Sequence, residues 1–372
     1  MKKSLFIMAL GAIALTSCSQ DEVIEVQKDA ISFAAFNENA SRADILKSAD
    51  LVGKEFKVWG VVAEGATPTY ISYIDGINCT VTGTRTNIQS GYYWPTGTMD
   101  FYAVYPADVA NASLGTPSAY ASNTAGITGV EVADANNQTD ILYALTTGQT
   151  KKTEDVPLNF KHALSQVVFK VKIADNVEQD IEVKLNSVTV KNLIKKGNFS
   201  FPKAATTDAG VGSWTLSEDA GDAGASYVVS PTDYIIDNID ATTATNVTEE
   251  TNPMLIIPQS HNIESSKANW NVNGLFVVNT TVTAKYNRDA NPDYETSINL
   301  VNTPTYIPVT FAWEPGKKYV YTFIYDANGN GGVDENGDEQ MLPITFSVGV
   351  VDFVTDLNGD SQDNDEEEVT LE

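Results

Sequence analysis

The stretch "SQVVFKVKI", from Ser165 to Ile173, alternates apolar and polar residues along its length. Alternation with a period of two is typical of a β-strand that buries one of its faces. The side chains of Val167, Phe169 and Val171 fall on one face, and that of Lys170 falls on the other. We therefore expect a strand with one apolar face here.

The same alternation recurs along the chain, and clusters of Gly, Asn, Asp and Thr separate its occurrences. It is found in "GKEFKVWGVVA", "TMDFYAVYP", "IEVKL", "NGLFVVNTTVTAKY", "KKYVYTFIY" and "ITFSVGVV". Helical periodicity is rare, and one short helix is expected around Asp44–Ala49. Many short strands separated by turns predict an all-β fold of sandwiches or barrels.

The chain length predicts more than one domain, because domains usually have about 100 to 200 residues and this chain has 372. The polar stretch "TKKTEDVP" separates two strand-rich halves. We expect an N-terminal domain at residues 18–155, a C-terminal domain at 156–354 and an acidic tail at 355–372. The tail is expected to be mobile, because it cannot bury enough apolar surface to become ordered.

The N-terminal stretch "MKKSLFIMALGAIALTSC" predicts an export signal peptide at residues 1–17. Its apolar run is shorter than the roughly 20 residues needed to cross a bilayer. "LTSC" resembles the bacterial lipobox, in which the cysteine, here Cys18, is lipidated and becomes the new N-terminus. The acidic stretch "SQDE" that follows resembles the surface-export signal of Bacteroidetes lipoproteins. The alternative is an ordinary signal peptide with an incidental cysteine.

The charge of the chain excludes one class of partner. The formal net charge is −26 and the pI is near 4.3. Nucleic acid and anionic membrane surfaces repel such a chain. We expect no nucleic-acid partner, and we attribute the charge mainly to solubility.

Residues that carry catalytic chemistry are scarce. The chain has two histidines, His162 and His261, and neither accompanies a nucleophile motif such as GxSxG. Apart from Cys18 the only cysteine is Cys79, which we interpret as a small apolar residue in or beside a strand. No zinc spacing and no phosphate-binding glycine loop occur. The sequence therefore predicts no enzyme and no cofactor.

Two acidic loops were compared with the calcium-binding loop of EF-hands. "DANGNGGVDENG" has Gly337 at position twelve, where a bidentate glutamate is needed. "DLNGDSQDNDEE" has a serine where the turn-making glycine belongs, and its weak candidate ligands are Asp356, Asn358, Asp360 and Glu367. We expect a solvated loop and an acidic tail here, and no metal site.

Several stretches together resemble the Bacteroidetes fimbrillin family, the lipoprotein pilins of type V pili and their relatives. They are the lipobox at Cys18, "ISFAAF" followed by "SRAD", "YYWPTGTMDFYAVYP", "LNFKHALSQVVFKVK" and "WEPGKKYVYTFIY". The resemblance extends from Met1 to about Phe353. It implies two transthyretin-like β-sandwich domains and a surface-exposed lipoprotein of the cell outer membrane.

The resemblance also implies processing by an arginine-specific protease. Arg42 is the matching position, so the cut bond would join Arg42 to Ala43, and residues 19–42 would be removed on maturation. Small polar neighbours favour an accessible backbone at this point. The alternative is that Arg42 is an ordinary loop arginine.

Cleavage at this position suggests assembly by strand exchange. The freed stretch "ISFAAF" alternates with Ile31, Phe33 and Ala35 on one side, and we expect it to fill a sheet edge until it is released. The first candidate donor strand carries the apolar residues Ile344, Phe346, Val348 and Val350. The end "EEVTLE" is a weaker candidate. The competing interpretation makes Ile344–Val350 a permanent core strand.

The favoured function is a structural or adhesive subunit of cell-surface fimbriae that assembles with other fimbrial subunits into a homo- or hetero-polymer. A host or bacterial surface ligand is a further expected partner class. The main alternative is a surface glycan-binding lipoprotein of a carbohydrate-uptake system, because five tryptophans and sixteen tyrosines could stack on sugars. A surface hydrolase is the weakest interpretation, since no catalytic site is evident.

Lipidation at Cys18 can be tested by metabolic labelling. A Cys18→Ala chain should lose radiolabelled palmitate and leave the membrane fraction, because stable anchoring needs acyl chains on that sulfur. A Cys79→Ala chain is the matched control and should keep the label. Equal labelling of the Cys18→Ala chain and the parent would rule out the lipobox.

Overall fold

The computed structural model describes residues 30–37, 51–64, 69–109, 111–113, 126–133, 137–174, 181–202, 211–217, 225–229, 244–246, 254–262, 276–287, 295–307, 309–325, 333–334, 336–338, 344–352 and 369–370. These residues form strands and connecting turns and contain no α-helix, which confirms the predicted all-β fold. The short helix expected at Asp44–Ala49 lies outside them. No helix within the described ranges is long and apolar enough to cross a membrane.

The strands are numbered in chain order. They are β1 (Ala30–Asn37), β2 (Glu55–Glu64), β3 (Thr69–Thr80), β4 (Ile88–Tyr93), β5 (Thr98–Tyr105), β6 (Ala112–Ser113), β7 (Gly126–Glu131), β8 (Leu142–Gln149), β9 (Val156–His162), β10 (Ser165–Ile173), β11 (Ile181–Leu193), β12 (Lys196–Ser200), β13 (Ser213–Leu216), β14 (Ala225–Val229), β15 (Thr245–Asn246), β16 (Met254–Ile256), β17 (Ser260–His261), β18 (Phe276–Asn287), β19 (Glu295–Ile307), β20 (Phe311–Ala312), β21 (Lys317–Tyr325), β22 (Ile344–Asp352) and β23 (Val369–Thr370).

The first sandwich is a seven-stranded sheet, in the order β3-β2-β5-β8-β9-β1-β4, that folds over on itself. In a flat sheet β1 and β5 would lie about 14 Å apart, since neighbouring strands are about 4.8 Å apart. The ring centroids of Phe33 in β1 and Phe101 in β5 are only 5.4 Å apart. The fold occurs at the short β8–β9 contact, where two residue pairs join the strands. The core therefore lies between β3-β2-β5-β8 and β9-β1-β4.

Strand β5 is buried on both of its faces. Phe101 and Ala103 point into the core of the first sandwich. Tyr102 and Val104 belong to a second core, most of whose side chains come from later strands. The rings of Tyr102 and Phe201 lie 5.2 Å apart between their centroids. One strand thus contributes side chains to both cores, which explains its almost continuous apolar sequence.

The second sandwich forms around an aromatic cluster. One sheet has the order β15-β10-β21-β22-β23, with β16 also paired to β10, and the other has the order β14-β11-β18-β19. Phe169 of β10 lies 5.4 Å from Phe276 of β18 and 5.5 Å from Phe323 of β21, measured between ring centroids. Val167, Phe169 and Val171 are fully buried, as the alternation in β10 predicts.

A smaller sheet combines strands from both halves of the chain. Its order is β13-β12-β7-β6, and β7 pairs antiparallel with β12. Strand β9, which follows residue 155, belongs to the seven-stranded sheet through its pairing with β1 and β8. The division between residues 155 and 156 stays a prediction, and the pairing of β9 and of β7 crosses it.

The C-terminal strand β23 pairs antiparallel with β22 through Ser347–Thr370 and Val348–Val369. These two residues of the acidic tail are thus part of a sheet, and the mobility of the rest of the tail stays a prediction. The Val-Thr pair has the side chains that strands favour, whereas the preceding acidic run does not. Residues 353–368 lie outside the described ranges.

Phe101→Ala should lower the free energy of unfolding of the first sandwich by about 3 to 5 kcal/mol, because it removes the ring that packs on Phe33 and Trp94. Ile71→Ala is the control, since Ile71 is 43% exposed, and it should change stability by less than about 0.5 kcal/mol. Denaturant unfolding followed by tryptophan fluorescence measures both. Equal losses in the two variants would contradict the folded-over arrangement.

Candidate functional site

Strand β1 lies inside the seven-stranded sheet, between β9 and β4. Residues Phe33 to Asn37 pair in parallel with β9, and residues Ala30 to Phe33 pair antiparallel with β4. The expectation that this strand fills a sheet edge is therefore wrong, because β4 is the edge strand. The alternating pattern identifies a strand but does not specify how many neighbours it has. Removal of β1 would leave unpaired backbone groups on β9 and on β4.

The apolar face of β1 points into the first core, as its alternation predicts. Ile31, Phe33 and Ala35 are fully buried. Ala34, on the opposite face, is only 6% exposed, so β1 is covered on both sides at its centre. Burial of a large apolar side chain stabilises a fold by roughly 1.5 to 3 kcal/mol. The strand is therefore a well-packed part of the first sandwich.

Two polar contacts hold the backbone of β1 in addition to its ladder partners. A bulge interrupts the pairing with β4 between Ala30 and Ser32, and there the Ser90 hydroxyl donates to the Ile31 carbonyl at 2.7 Å. Farther along, the Ala35 amide donates to the Arg85 carbonyl at 2.9 Å. Ser90 thus supplies a hydrogen-bond donor to the backbone at the point where the bulge interrupts the ladder.

Asp155 links β1 to the turn before β4. The Ser32 hydroxyl donates to Oδ1 of Asp155, and the Asn87 amide donates to Oδ2 at 2.7 Å. Asp155 directly precedes β9, so one carboxylate joins three neighbouring segments. Sequence reasoning missed this residue and treated its surroundings as a domain boundary. Ser32 and Asp155 are 123 positions apart, and no local pattern indicates such a contact.

Several predicted site residues lie outside the described residues. These are Cys18, Arg42 and Ala43, together with the calcium candidates Asp356, Asn358, Asp360 and Glu367. Their roles stay predictions. The described residues contain no group of three or more His, Cys, Asp or Glu side chains placed to bind a metal ion.

The first candidate donor strand is β22, which contains Ile344, Phe346, Val348 and Val350. It pairs with β21 at every position from Ile344 to Asp352. Val348 and Val350 are partly buried against the second core. In this structure β22 is thus a strand of the second sandwich, which agrees with the competing interpretation. Its role as a donor stays a prediction.

The two histidines occupy different surroundings. His162 is 5% exposed and its Nδ1 lies 2.6 Å from Oδ2 of Asp140, which is also buried. The pair joins the end of β9 to the residues before β8. His261 in β17 stacks on Phe311, with ring centroids 5.9 Å apart. In both contacts the histidine packs or hydrogen-bonds to a neighbouring segment, as expected of a structural residue.

The tryptophans contribute mainly to the interior. Trp59, Trp94 and Trp313 are 3%, 9% and 4% exposed. Trp214 is partly buried, and its Nε1 donates to the Ala163 carbonyl at 2.6 Å. Trp270 lies outside the described residues. The four described tryptophans therefore offer no open platform on which a sugar could stack.

The fold and the position of β1 define a class of protein. It is an all-β chain of sandwiched sheets in which β1, the first described strand, is an inner strand of the first sandwich. The model of the fimbrillin-like family matches residues 49–337. The chain belongs to the fimbrillin-like family. None of the curated protein sequences compared with the chain matches it.

Two solved structures are similar to this chain. A fimbrial protein from Bacteroides vulgatus ATCC 8482 is 14% identical, with a TM-score of 0.52, and the match covers 87% of this chain and 99% of that one. A "putative cell adhesion protein" from Parabacteroides distasonis ATCC 8503 is 15% identical, with a TM-score of 0.47 and coverage of 87% and 98%. At these identities the first likeness supports the fold alone.

Cys79 should be unreactive in the folded chain. Burial raises the pKa of its thiol from 9.0 to about 12, so almost no thiolate is present at pH 8. In a Cys18→Ala chain, iodoacetamide should modify Cys79 more than about 100-fold more slowly before unfolding than after it. Moving the only thiol to the exposed neighbouring position, with Cys79→Ala and Thr80→Cys, should restore rapid labelling. Fast labelling of folded Cys79 would contradict its burial.

Proposed function

We propose that this protein is a structural or adhesive subunit of cell-surface fimbriae. Membership of the fimbrillin-like family supports a fimbrial, cell-surface role. The observation that carries the finer proposal is the inner position of β1, a strand near the N-terminus that shares its core with β5 and β9. Thirteen residues, 38–50, follow β1 before the next described residue, and Arg42 is among them.

In the proposed mechanism the precursor is lipidated at Cys18 and then cut between Arg42 and Ala43. Cys18 and β1 both precede the cut, so the mature chain remains attached to the lipid anchor only through the non-covalent contacts of β1. Loss of β1 frees backbone groups on β9 and β4, together with the core positions of Ile31 and Phe33. A strand from another subunit then replaces β1, and repetition of this step yields a polymer.

The outer-membrane location and the polymer belong to the same proposal. A lipid-anchored precursor concentrates subunits on the cell surface, and processing converts each into an acceptor for a donor strand. The donor comes from the C-terminal region, either β22 or the segment that ends in "EEVTLE". The glycan-binding alternative would have to rely on exposed tyrosines such as Tyr93, which is 50% exposed, because the described tryptophans are buried or hydrogen-bonded within the fold.

Processing can be tested by treating the purified chain with an arginine-specific protease. The parent chain should form ladders of oligomers that resist mild denaturant, whereas Arg42→Ala should stay monomeric because β1 remains covalently attached. Electrophoresis of unboiled samples and mass spectrometry of the new N-terminus measure the two effects.

Arg85→Asn is the matched control for loss of an arginine. Arg85 lies in a turn with a φ of 59°, a conformation that asparagine tolerates. The Arg85 amide and carbonyl are both hydrogen-bonded within the fold, so the peptide bond between Arg85 and Thr86 should resist the protease. Arg85→Asn should therefore polymerise like the parent. Polymerisation of Arg42→Ala at the parental rate would show that the processing mechanism is wrong.

A further inference from the structure

The polar contacts of β1 differ in whether they involve its backbone or a side chain. The Ser90 hydroxyl bonds the Ile31 carbonyl, and the Arg85 carbonyl bonds the Ala35 amide. Both use backbone groups of β1, so almost any replacing strand would satisfy them. The contact with Asp155 uses the side-chain hydroxyl of Ser32. Among these polar contacts it alone depends on the identity of a β1 residue.

The Asp155 carboxylate has a second partner besides β1. Its Oδ2 accepts the Asn87 amide at 2.7 Å, in a turn where Arg85 and Asn87 have φ values of 59° and 54°. Its backbone directly precedes β9, which pairs with β8 as well as with β1 and therefore keeps one partner when β1 leaves. Oδ1 is directed at the position of Ser32, which lies between the apolar residues Ile31 and Phe33. A strand without a hydroxyl there would leave a partly buried carboxylate oxygen without its donor.

We infer that Asp155 is a specificity-determining residue for the strand that takes the place of β1. It selects a serine or threonine between two apolar residues, and of the two C-terminal segments with this pattern the donor is Val369–Thr370–Leu371 of a second copy of this chain. The inference rests on the proposed strand exchange and names its partner.

The sequence of the C-terminal segment matches that of β1 where the contacts are most demanding. Ile31-Ser32-Phe33 and Val369-Thr370-Leu371 share the order apolar, hydroxyl, apolar. Beyond Phe33 the next two residues of β1 are alanines. Among residues 31–35 the largest apolar side chains are therefore those of Ile31 and Phe33, and Val369 and Leu371 would take their positions.

The strength of existing pairing decides between the two candidate donors. Ile344-Thr345-Phe346 has the same pattern as Ile31-Ser32-Phe33, but β22 is paired with β21 along its whole length. Strand β23 is joined to β22 by two residue pairs only. Release of β23 disrupts these two described residue pairs, whereas release of β22 disrupts its full ladder with β21. The C-terminal segment is therefore the donor that the structure can release.

The experiment measures peptide binding to the full chain after a single cut at Arg42, verified by mass spectrometry. Fluorescently labelled peptides compete with the fragment that contains β1, and anisotropy gives their dissociation constants. The peptides are residues 367–372 as the parent, with Thr370→Ser and with Thr370→Val. Valine matches the shape of threonine but lacks the hydroxyl. A peptide of residues 30–37 and its Ser32→Ala form are the positive controls.

Thr370→Val should weaken binding by roughly 10- to 100-fold, and Thr370→Ser should stay within about threefold of the parent peptide. On an Asp155→Ala chain the difference between threonine and valine should disappear. An Asp75→Ala chain, changed at an exposed position of β3, should preserve it. The comparison of peptides on the unchanged chain remains decisive if Asp155→Ala fails to fold.

The outcomes separate this inference from the function on which it rests. Failure of the 30–37 peptide to bind would show that strand exchange itself is wrong. Binding of that peptide with no effect of Ser32→Ala or Thr370→Val would overturn selection by Asp155 alone. Binding of the 30–37 peptide without binding of the 367–372 peptide would overturn the C-terminal segment as the donor.

Discussion

The contact between Phe33 and Phe101 is the constraint on which the first sandwich depends. It joins a strand near the start of the chain to one that lies three places away in the same sheet. The two rings meet because the sheet folds over, and the folded sheet encloses a core that neither half could bury alone. Trp94 packs on the same Phe101 ring, with centroids 5.9 Å apart. Strand β1 therefore contributes side chains to the interior of this core and completes one of its two walls.

The closure of the first core is coupled to the second through β5. Phe101 faces one core and its neighbour Tyr102 faces the other, where it meets Phe201. Tyr143 of β8 behaves similarly, since its hydroxyl accepts the Gly212 amide at 2.9 Å and its ring lies near Phe199. Any movement of β5 or β8 that follows the loss of β1 would therefore change the packing of residues in the second core.

Local sequence patterns predict the strands well, because a period of two follows directly from the geometry of a strand. The alternation in residues 165–173 and the apolar face of β1 were predictable in this way. The inner position of β1 and the role of Asp155 were not, since they depend on partners 55 to 123 residues away. The pairing of β7 with β12 joins residues 65 to 74 positions apart, which no local pattern indicates either. Cys18 and Arg42 were identified by motif and by family resemblance, which require no knowledge of packing.

The sheet that β7 and β12 share has a consequence for how such proteins can diversify. If relatives recombined their genes near codon 155, the first half would bring its own β6 and β7, and the second half its own β12 and β13. The hybrid would have to rebuild an antiparallel ladder between strands that had never evolved together. Gly126 and Gly197 lie so close to backbone atoms of neighbouring strands that a side chain on either would collide with them. An exchange of halves between relatives should therefore destabilise this sheet, even where each half retains its own core.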